Sequence, residues 1–166
     1  MTVSLSKRPS HHDLTIQEIA DRLAIRELID AYALCADRRD ADGQMSLFTE
    51  DTEFLVYMDG CSKGSTQEIR GREGLRPVFE NLNTYQATTH FNGQSTVVVQ
   101  QDEAEGLSYC LAHHVRREGQ NQTLMVASIR YLDQFVKTKG RWHFCQRKLM
   151  VDWIDHRPLG AVSAST

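Results

Sequence analysis

The sequence predicts an α+β domain: a cone-shaped, strongly curved, mostly antiparallel sheet closed by three N-terminal helices. Three observations carry this. Apolar residues at helical spacing are confined to the first half of the chain, and after Asn83 the pattern turns wholly to strands. Short polar stretches, Gln101-Asp102-Glu103, Gly119-Gln120-Asn121 and Lys139-Gly140, divide that second half as hairpins require. The resulting strands, about 15 residues each against a usual five or six, cannot lie flat in a 166-residue chain. They must curl, and a curled sheet closed by helices leaves a conical cavity.

Residues 1–13 show no hydrophobic period and read as a tail, His11-His12 included. The single domain is expected over 14–155, with a second tail over 156–166, where Pro158 to Thr166 is rich in small residues. The first helix opens at Thr15-Ile16-Gln17-Glu18, a capping-box pattern, and runs to about Ala36. Ile16, Ile19, Ala20 and Leu23 share one face, whereas Ile25, Leu28, Ile29, Tyr32 and Ala36 fall nearly opposite. The helix therefore begins on the surface and ends inside a layer of other elements, with Tyr32 pointing inward and Asp37 in or just beyond its last turn.

Asp42 to Phe48 is a short helix anchored by Met45, Leu47 and Phe48. Thr52 to Met58 alternates as a strand, Phe54, Val56 and Met58 against Glu53, Leu55 and Tyr57, and Asp59 to Thr66 is a glycine-bearing loop. From Gly71, the spacing of Leu75, Val78, Phe79 and Leu82 is helical, with Pro77 restricted to the first turns. Strands follow at about 88–100, 104–118, 121–138 and 141–153.

Composition narrows the function. Nineteen Lys and Arg against 22 Asp and Glu give a net charge of −3, with the signs interspersed, so the basic footprint of a nucleic-acid binder is missing. No run approaches the roughly 18 apolar residues of a membrane span, and a cytoplasmic protein is the expectation. Cys35, Cys61, Cys110 and Cys145 form no C-x-x-C pair, which fits reduced thiols and small core residues better than a zinc or redox centre. No two histidines share one face of an element and no H-E-x-x-H occurs, so no metal site is predicted.

The chemically suggestive stretch is Thr88 to Gln94, with His90 at its centre. Histidine is the one side chain whose ordinary pKa, roughly 6.5, lets it exchange a proton near neutrality. Asp37 is its candidate partner. An acid is an odd choice at a helix C-terminus, where the macrodipole favours cations, and Arg38-Arg39 follow it. A solvated charged turn and a buried acid orienting His90 are both open on the local sequence. His113 and His114 are neighbours in a strand, so only one of them enters the cavity.

Ala24 to Leu28, Tyr32 through Asp37, Phe48-Thr49-Glu50-Asp51, Thr89-His90-Phe91 and Gly140 to Phe144, in this order and spacing, resemble the SnoaL-like group of the nuclear-transport-factor-two-like superfamily over roughly residues 15–155. The resemblance implies a cystatin-like α+β barrel, commonly associating through the outer sheet face, so a homodimer or homotrimer is expected. In site pattern the chain is nearest to the scytalone dehydratase and bile-acid dehydratase types, and to dehydrochlorinases with a His-Asp pair. That likeness implies Asp37 as the acid, His90 as the central histidine, Tyr57 as the first-strand tyrosine and His114 as the second pocket histidine. Tyr32 matches a tyrosine of the bile-acid branch. Two departures argue for a different substrate: Ala36 replaces the tyrosine beside the acid, and Tyr131 stands where the scytalone type has asparagine.

The chemistry implied is proton abstraction by His90, with hydrogen bonds from Tyr57, Tyr32 and His114 to the developing charge, acting without cofactor on a small, cyclic, hydrophobic substrate. Tyr131, Phe54 and Arg147 are candidate substrate contacts. Arg147 recognises an acidic group or pairs with Asp133 or Asp152; the sequence leaves both open. Trp142, Phe144 and Trp153 read as core or subunit contacts. The same fold also serves as the non-catalytic small subunit of aromatic-ring dioxygenases and as a ligand-binding or assembly module.

Overall fold

The computed structural model describes residues 14–58 and 64–160. The tail before Leu14, Cys61 and the end of the C-terminal tail lie outside these.

Helix α1 spans Ile16–Arg38 and is capped as expected, Thr15 Oγ1 accepting from the Glu18 backbone N–H at 3.1 Å. Glu18 does not reach back to complete the box; its carboxylate takes the Arg22 guanidinium instead. The two apolar faces part as predicted. Ile16, Ile19 and Leu23 are exposed, whereas Ile25, Leu28, Ile29, Tyr32, Ala33 and Ala36 are buried. The helix ends on Arg39 in the left-handed region at φ 62°, its amide turned back onto the last carbonyls. A non-glycine residue there costs on the order of 1 kcal/mol, so other contacts must hold it.

Helix α2 (Ala41–Ser46) is capped by Asp40, and is shorter than predicted because Phe48 already belongs to β1 (Phe48–Tyr57). A register break between Phe48 and Glu53 explains the late apparent start of that strand. A four-residue strand that the pattern did not announce, β2 (Gln67–Arg70), pairs with β1. The predicted third helix is broken into a 3₁₀ turn, α3 (Arg76–Glu80) with Pro77 in its first turn, and a second 3₁₀ turn; its buried anchors are Leu75 and Phe79. The four long strands follow: β3 (Ala87–Gln100), β4 (Glu103–Glu118), β5 (Asn121–Thr138) and β6 (Arg141–Pro158). β6 runs five residues past its predicted end because Trp153 to Pro158 stay paired with β5, so residues 156–158 are sheet and not tail.

The sheet order is β2-β1-β6-β5-β4-β3, antiparallel except for the parallel β1–β6 pair, and the sheet is not closed. Register breaks in β3, β5 and β6 mark where the long strands bend. The concave face packs against α1 and α3. Its core is aromatic: Phe48, Phe54, Phe79, Phe135 and Phe144 meet Tyr32 and Tyr131 at centroid separations of 5.0–6.3 Å. No helix among the described residues is long and apolar enough to cross a membrane.

Candidate functional site

Helix α1 lies along the edge strand β3, and alternate residues of that strand are tied to it. Asn92 donates to the Ile29 carbonyl and to Asp30, and His90 and Thr88 both bond Asp37. The side-chain alternation of a strand puts these three on one face. The helix terminus thus delivers Asp37 to His90 across 53 residues of chain.

His90 Nδ1 lies 2.7 Å from Asp37 Oδ1, and the His90 backbone N–H donates to Oδ2 at 2.9 Å. Thr88 Oγ1 adds a third bond, to Oδ1 at 3.0 Å. A carboxylate only accepts, so the network assigns the ring proton to Nδ1 and leaves Nε2 with a free lone pair. The His90 side chain is 8% exposed and that of Asp37 26%, so the pair is largely shielded from water.

The β3–β4 register pairs Thr88 with His114 and His90 with Ala112. His114 therefore shares the inner face with His90, ring centroids 5.5 Å apart and nearly perpendicular, while Tyr85 covers its other side at 4.7 Å. Burial pushes the His114 pKa down to about 4, and the neighbouring His90 works in the same direction. This imidazole is neutral at physiological pH, and its Nδ1 is buried without a hydrogen-bond partner among the described residues. His113, one residue away, faces the other side of the sheet.

The other expected site residues lie elsewhere. Tyr32 is the centre of the aromatic core, in edge contact with Phe48, Phe79, Tyr131 and Phe144. Arg147 is fully buried and forms a two-pronged pair with Asp133, both bonds 2.8 Å, settling which carboxylate it takes; Asp152 pairs with Arg130. Burial opposes the Arg147 charge, but Asp133 outweighs it and holds the guanidinium pKa above its ordinary value. The same guanidinium lies 4.1–4.2 Å from the ring centroids of Tyr32, Tyr131 and Phe144. Phe54, aligned with Arg147 across β1 and β6, is completely buried against Phe48 and Phe79. Tyr131, Phe54 and Arg147 are thus buried among aromatic side chains, with Arg147 Nη1 left without a hydrogen-bond partner among the described residues.

Tyr57 needs a correction of placement. Phe54 and Val56 belong to the core, so the alternation of β1 sends Tyr57 to the opposite face of the sheet from His90. Cys110 bridges the two inner clusters. Burial pushes its thiol up to about 11, the Tyr131 hydrogen bond and the Arg147 charge pull it back, and Asp37 raises it further.

Sequence reasoning missed Thr88, Tyr85 and Arg39. Only Thr88 carried a signal, since it shares strand parity with His90. A cavity of about 760 Å³ lies at the far end of the same strands, bordered by Asp51, Arg72, Val98, Glu103, Val136 and His143 among others. Volume alone would make it the site, but it contains neither member of the His90–Asp37 pair, and the site is better assigned by chemistry. The described residues contain no cluster of three or more His, Cys, Asp or Glu placed to hold a metal ion.

Comparison with known proteins agrees with this architecture. The crystal structure of a candidate scytalone dehydratase from Novosphingobium aromaticivorans superposes with a TM-score of 0.72 at 22% identity, covering 92% of this chain and all of that one. The β subunit of a candidate aromatic-ring-hydroxylating dioxygenase from the same organism superposes at 0.69 with 18% identity, covering 84% of this chain and 93% of the subunit. At these identities the likeness is one of fold. In sequence, the uncharacterized protein Rv2910c of Mycobacterium tuberculosis is 29% identical over 134 residues, 81% of this chain and 87% of that protein. The model of the SnoaL-like domain matches residues 17–148, most of the chain, and the protein belongs to the SnoaL-like family of the nuclear-transport-factor-two-like superfamily.

Proposed function

We propose that the protein is a cofactor-independent lyase or isomerase of the dehydratase kind, in which His90 removes a proton from carbon next to an activating group. The observation that carries this reading is the 2.7 Å contact between His90 Nδ1 and Asp37 Oδ1, inside a site where the imidazole is 8% exposed. Asp37 fixes the tautomer, so Nε2 is the base, and it stabilises the imidazolium once the proton has moved. Exclusion of water strengthens that stabilisation.

Along its cross-strand row His90 is followed by Ala112 and Ala127, two of the smallest side chains in the sheet. Both are buried in the hydrophobic core, so the surroundings of the base are apolar and favour a hydrophobic substrate. Neutral His114 is the group suited to hydrogen-bond the oxygen on which charge develops, without competing with His90 for the proton. Tyr32 fixes the helix that carries Asp37. A β-elimination or double-bond shift then needs only removal of the proton by His90 and its return to the leaving hydroxyl or to a neighbouring carbon.

The test is turnover of a panel of cyclic β-hydroxy ketones, followed by loss of the hydroxyl and by deuterium uptake from D2O. Asp37→Asn and His90→Gln are each expected to lower kcat by at least a hundredfold. Turnover that survives both substitutions would falsify the proposal. A protein inert on every probe, yet held in a stoichiometric complex with a large oxygenase chain, would establish the dioxygenase-subunit reading in its place. We further propose that copies associate through the outer sheet face. Exposed Phe91, Leu111 and Trp153 there form one row across the register of β3, β4, β5 and β6.

A further inference from the structure

Arg39 occupies a backbone conformation that glycine or asparagine would adopt more readily. Its side chain accounts for its presence. Nη1 donates to the Ala36 carbonyl at 3.0 Å and to Thr88 Oγ1 at 2.6 Å, and Nη2 reaches the Tyr85 carbonyl at 3.4 Å. These contacts join the end of α1 to the start of β3, on either side of the Asp37–His90 pair.

The direction of the hydrogen bonds is fixed by chemistry. A guanidinium has donors and no acceptor, so the Thr88 hydroxyl oxygen receives from Arg39. The hydroxyl proton then has a single partner left, Asp37 Oδ1 at 3.0 Å. Chains of this kind polarise each member in turn. Asp37 Oδ1 consequently takes Thr88 from one side and His90 Nδ1 from the other, while Oδ2 is occupied by the His90 backbone N–H. With the carboxylate held at three points, the imidazole has one low-energy arrangement.

We propose that Arg39, acting through the Thr88 hydroxyl, is the positioning device that locks Asp37 and so holds His90 in the tautomer with Nε2 free. The inference rests on the proposed role of His90 as base, and its primary test needs no substrate. Side-chain ¹⁵N spectra of the full-length protein, recorded in mildly alkaline buffer, distinguish a protonated Nδ1 from a protonated Nε2. The wild-type His90 ring is expected to show Nδ1 protonated alone. Thr88→Val, which keeps the β-branched shape and loses the hydroxyl, is expected to give a mixture of tautomers. Arg39→Met should do the same, and the double variant should go no further than either single change, because both break one chain. Thr88→Ser should restore the wild-type spectrum, which a role in packing alone would not explain.

On any probe substrate that is turned over, Thr88→Val should lose tenfold or more in kcat with KM changed less than twofold. Thr88→Ser should recover most of that loss. An unchanged His90 spectrum in folded Thr88→Val and Arg39→Met overturns the inference, as does a Thr88→Ser variant that behaves like Thr88→Val. If the tautomer shifts as expected while wild type turns over no probe, the network stands and the catalytic reading fails.

Discussion

The Arg147–Asp133 pair offers the most exposing test of the interior. Arg147 is 0% exposed and Asp133 3%, and their two hydrogen bonds of 2.8 Å lie beneath an aromatic shell. Replacing Arg147 with Met keeps the length and apolar bulk of the stem but strands a buried carboxylate. Breaking a buried pair from one side typically costs about 3–5 kcal/mol. Against a total stability of about 5–15 kcal/mol for a domain of this size, that removes a large share. It corresponds to a fall in Tm of roughly 10 °C. The double variant Arg147→Met/Asp133→Leu removes both charges at once and leaves two apolar side chains facing each other across β5 and β6. Its stability should return to within about 2 kcal/mol of wild type. Urea unfolding followed by tryptophan fluorescence measures all four corners of the cycle. A single Arg147→Met change costing under about 1 kcal/mol, or a double variant as unstable as the sum of the singles, would refute the reasoning.

Two further outcomes are expected. The folded state resists protonating His114, whose pKa is pushed down to about 4 by burial and by His90, whereas the unfolded chain takes the proton near the ordinary 6.5. The stability this histidine contributes is therefore present above about 6.5 and lost as pH falls towards 4, by on the order of 3 kcal/mol. His114→Phe should flatten that part of the curve in urea titrations between pH 4.5 and 7, and a slope equal to wild type would count against it. For association, the row of Phe91, Leu111 and Trp153 on the outer face predicts that Leu111→Arg converts a dimer or trimer to monomer in light scattering. A monomeric wild type would end that reading.

Much of the architecture was legible because length and period carry it. Four long alternating runs split by polar turns permit little except a curled meander, and the opposed faces of α1 announced a helix passing from surface to interior. What the pattern missed was short or set by register. β2 is four residues, Gln67–Arg70, with one partly buried position, too few to show a period. Arg147 could have met Asp133 or Asp152, and it is the register shift between Gln134 and Phe135, invisible in the pattern, that sets Arg147 opposite Asp133. Tyr57 is a different lesson. The alternation of Phe54 and Val56 already assigned it to the outer face, whereas resemblance to a family placed it in the site. Strand parity was the better guide, because it follows from backbone geometry and a family's tyrosine does not.

The aromatic interior bears on how the proposed site would work. A cone lined with polar residues would leave Asp37 on a helix end free to shift with each bound molecule. Here Tyr32, five residues earlier on α1, is held by four aromatic rings and a buried guanidinium, and Ala33 and Ala36 are buried in the turns between. The last two turns of the helix are thereby fixed against the sheet, at a position set by Arg147 and hence by Asp133. The carboxylate that orients His90 inherits that rigidity, which is what a general base needs if its lone pair is to meet a substrate proton at a constant angle. In the proposed mechanism, the aromatic and ionic core is the support of the acid. Loosening that core should blunt the alignment of the His90–Asp37 pair before the fold is lost.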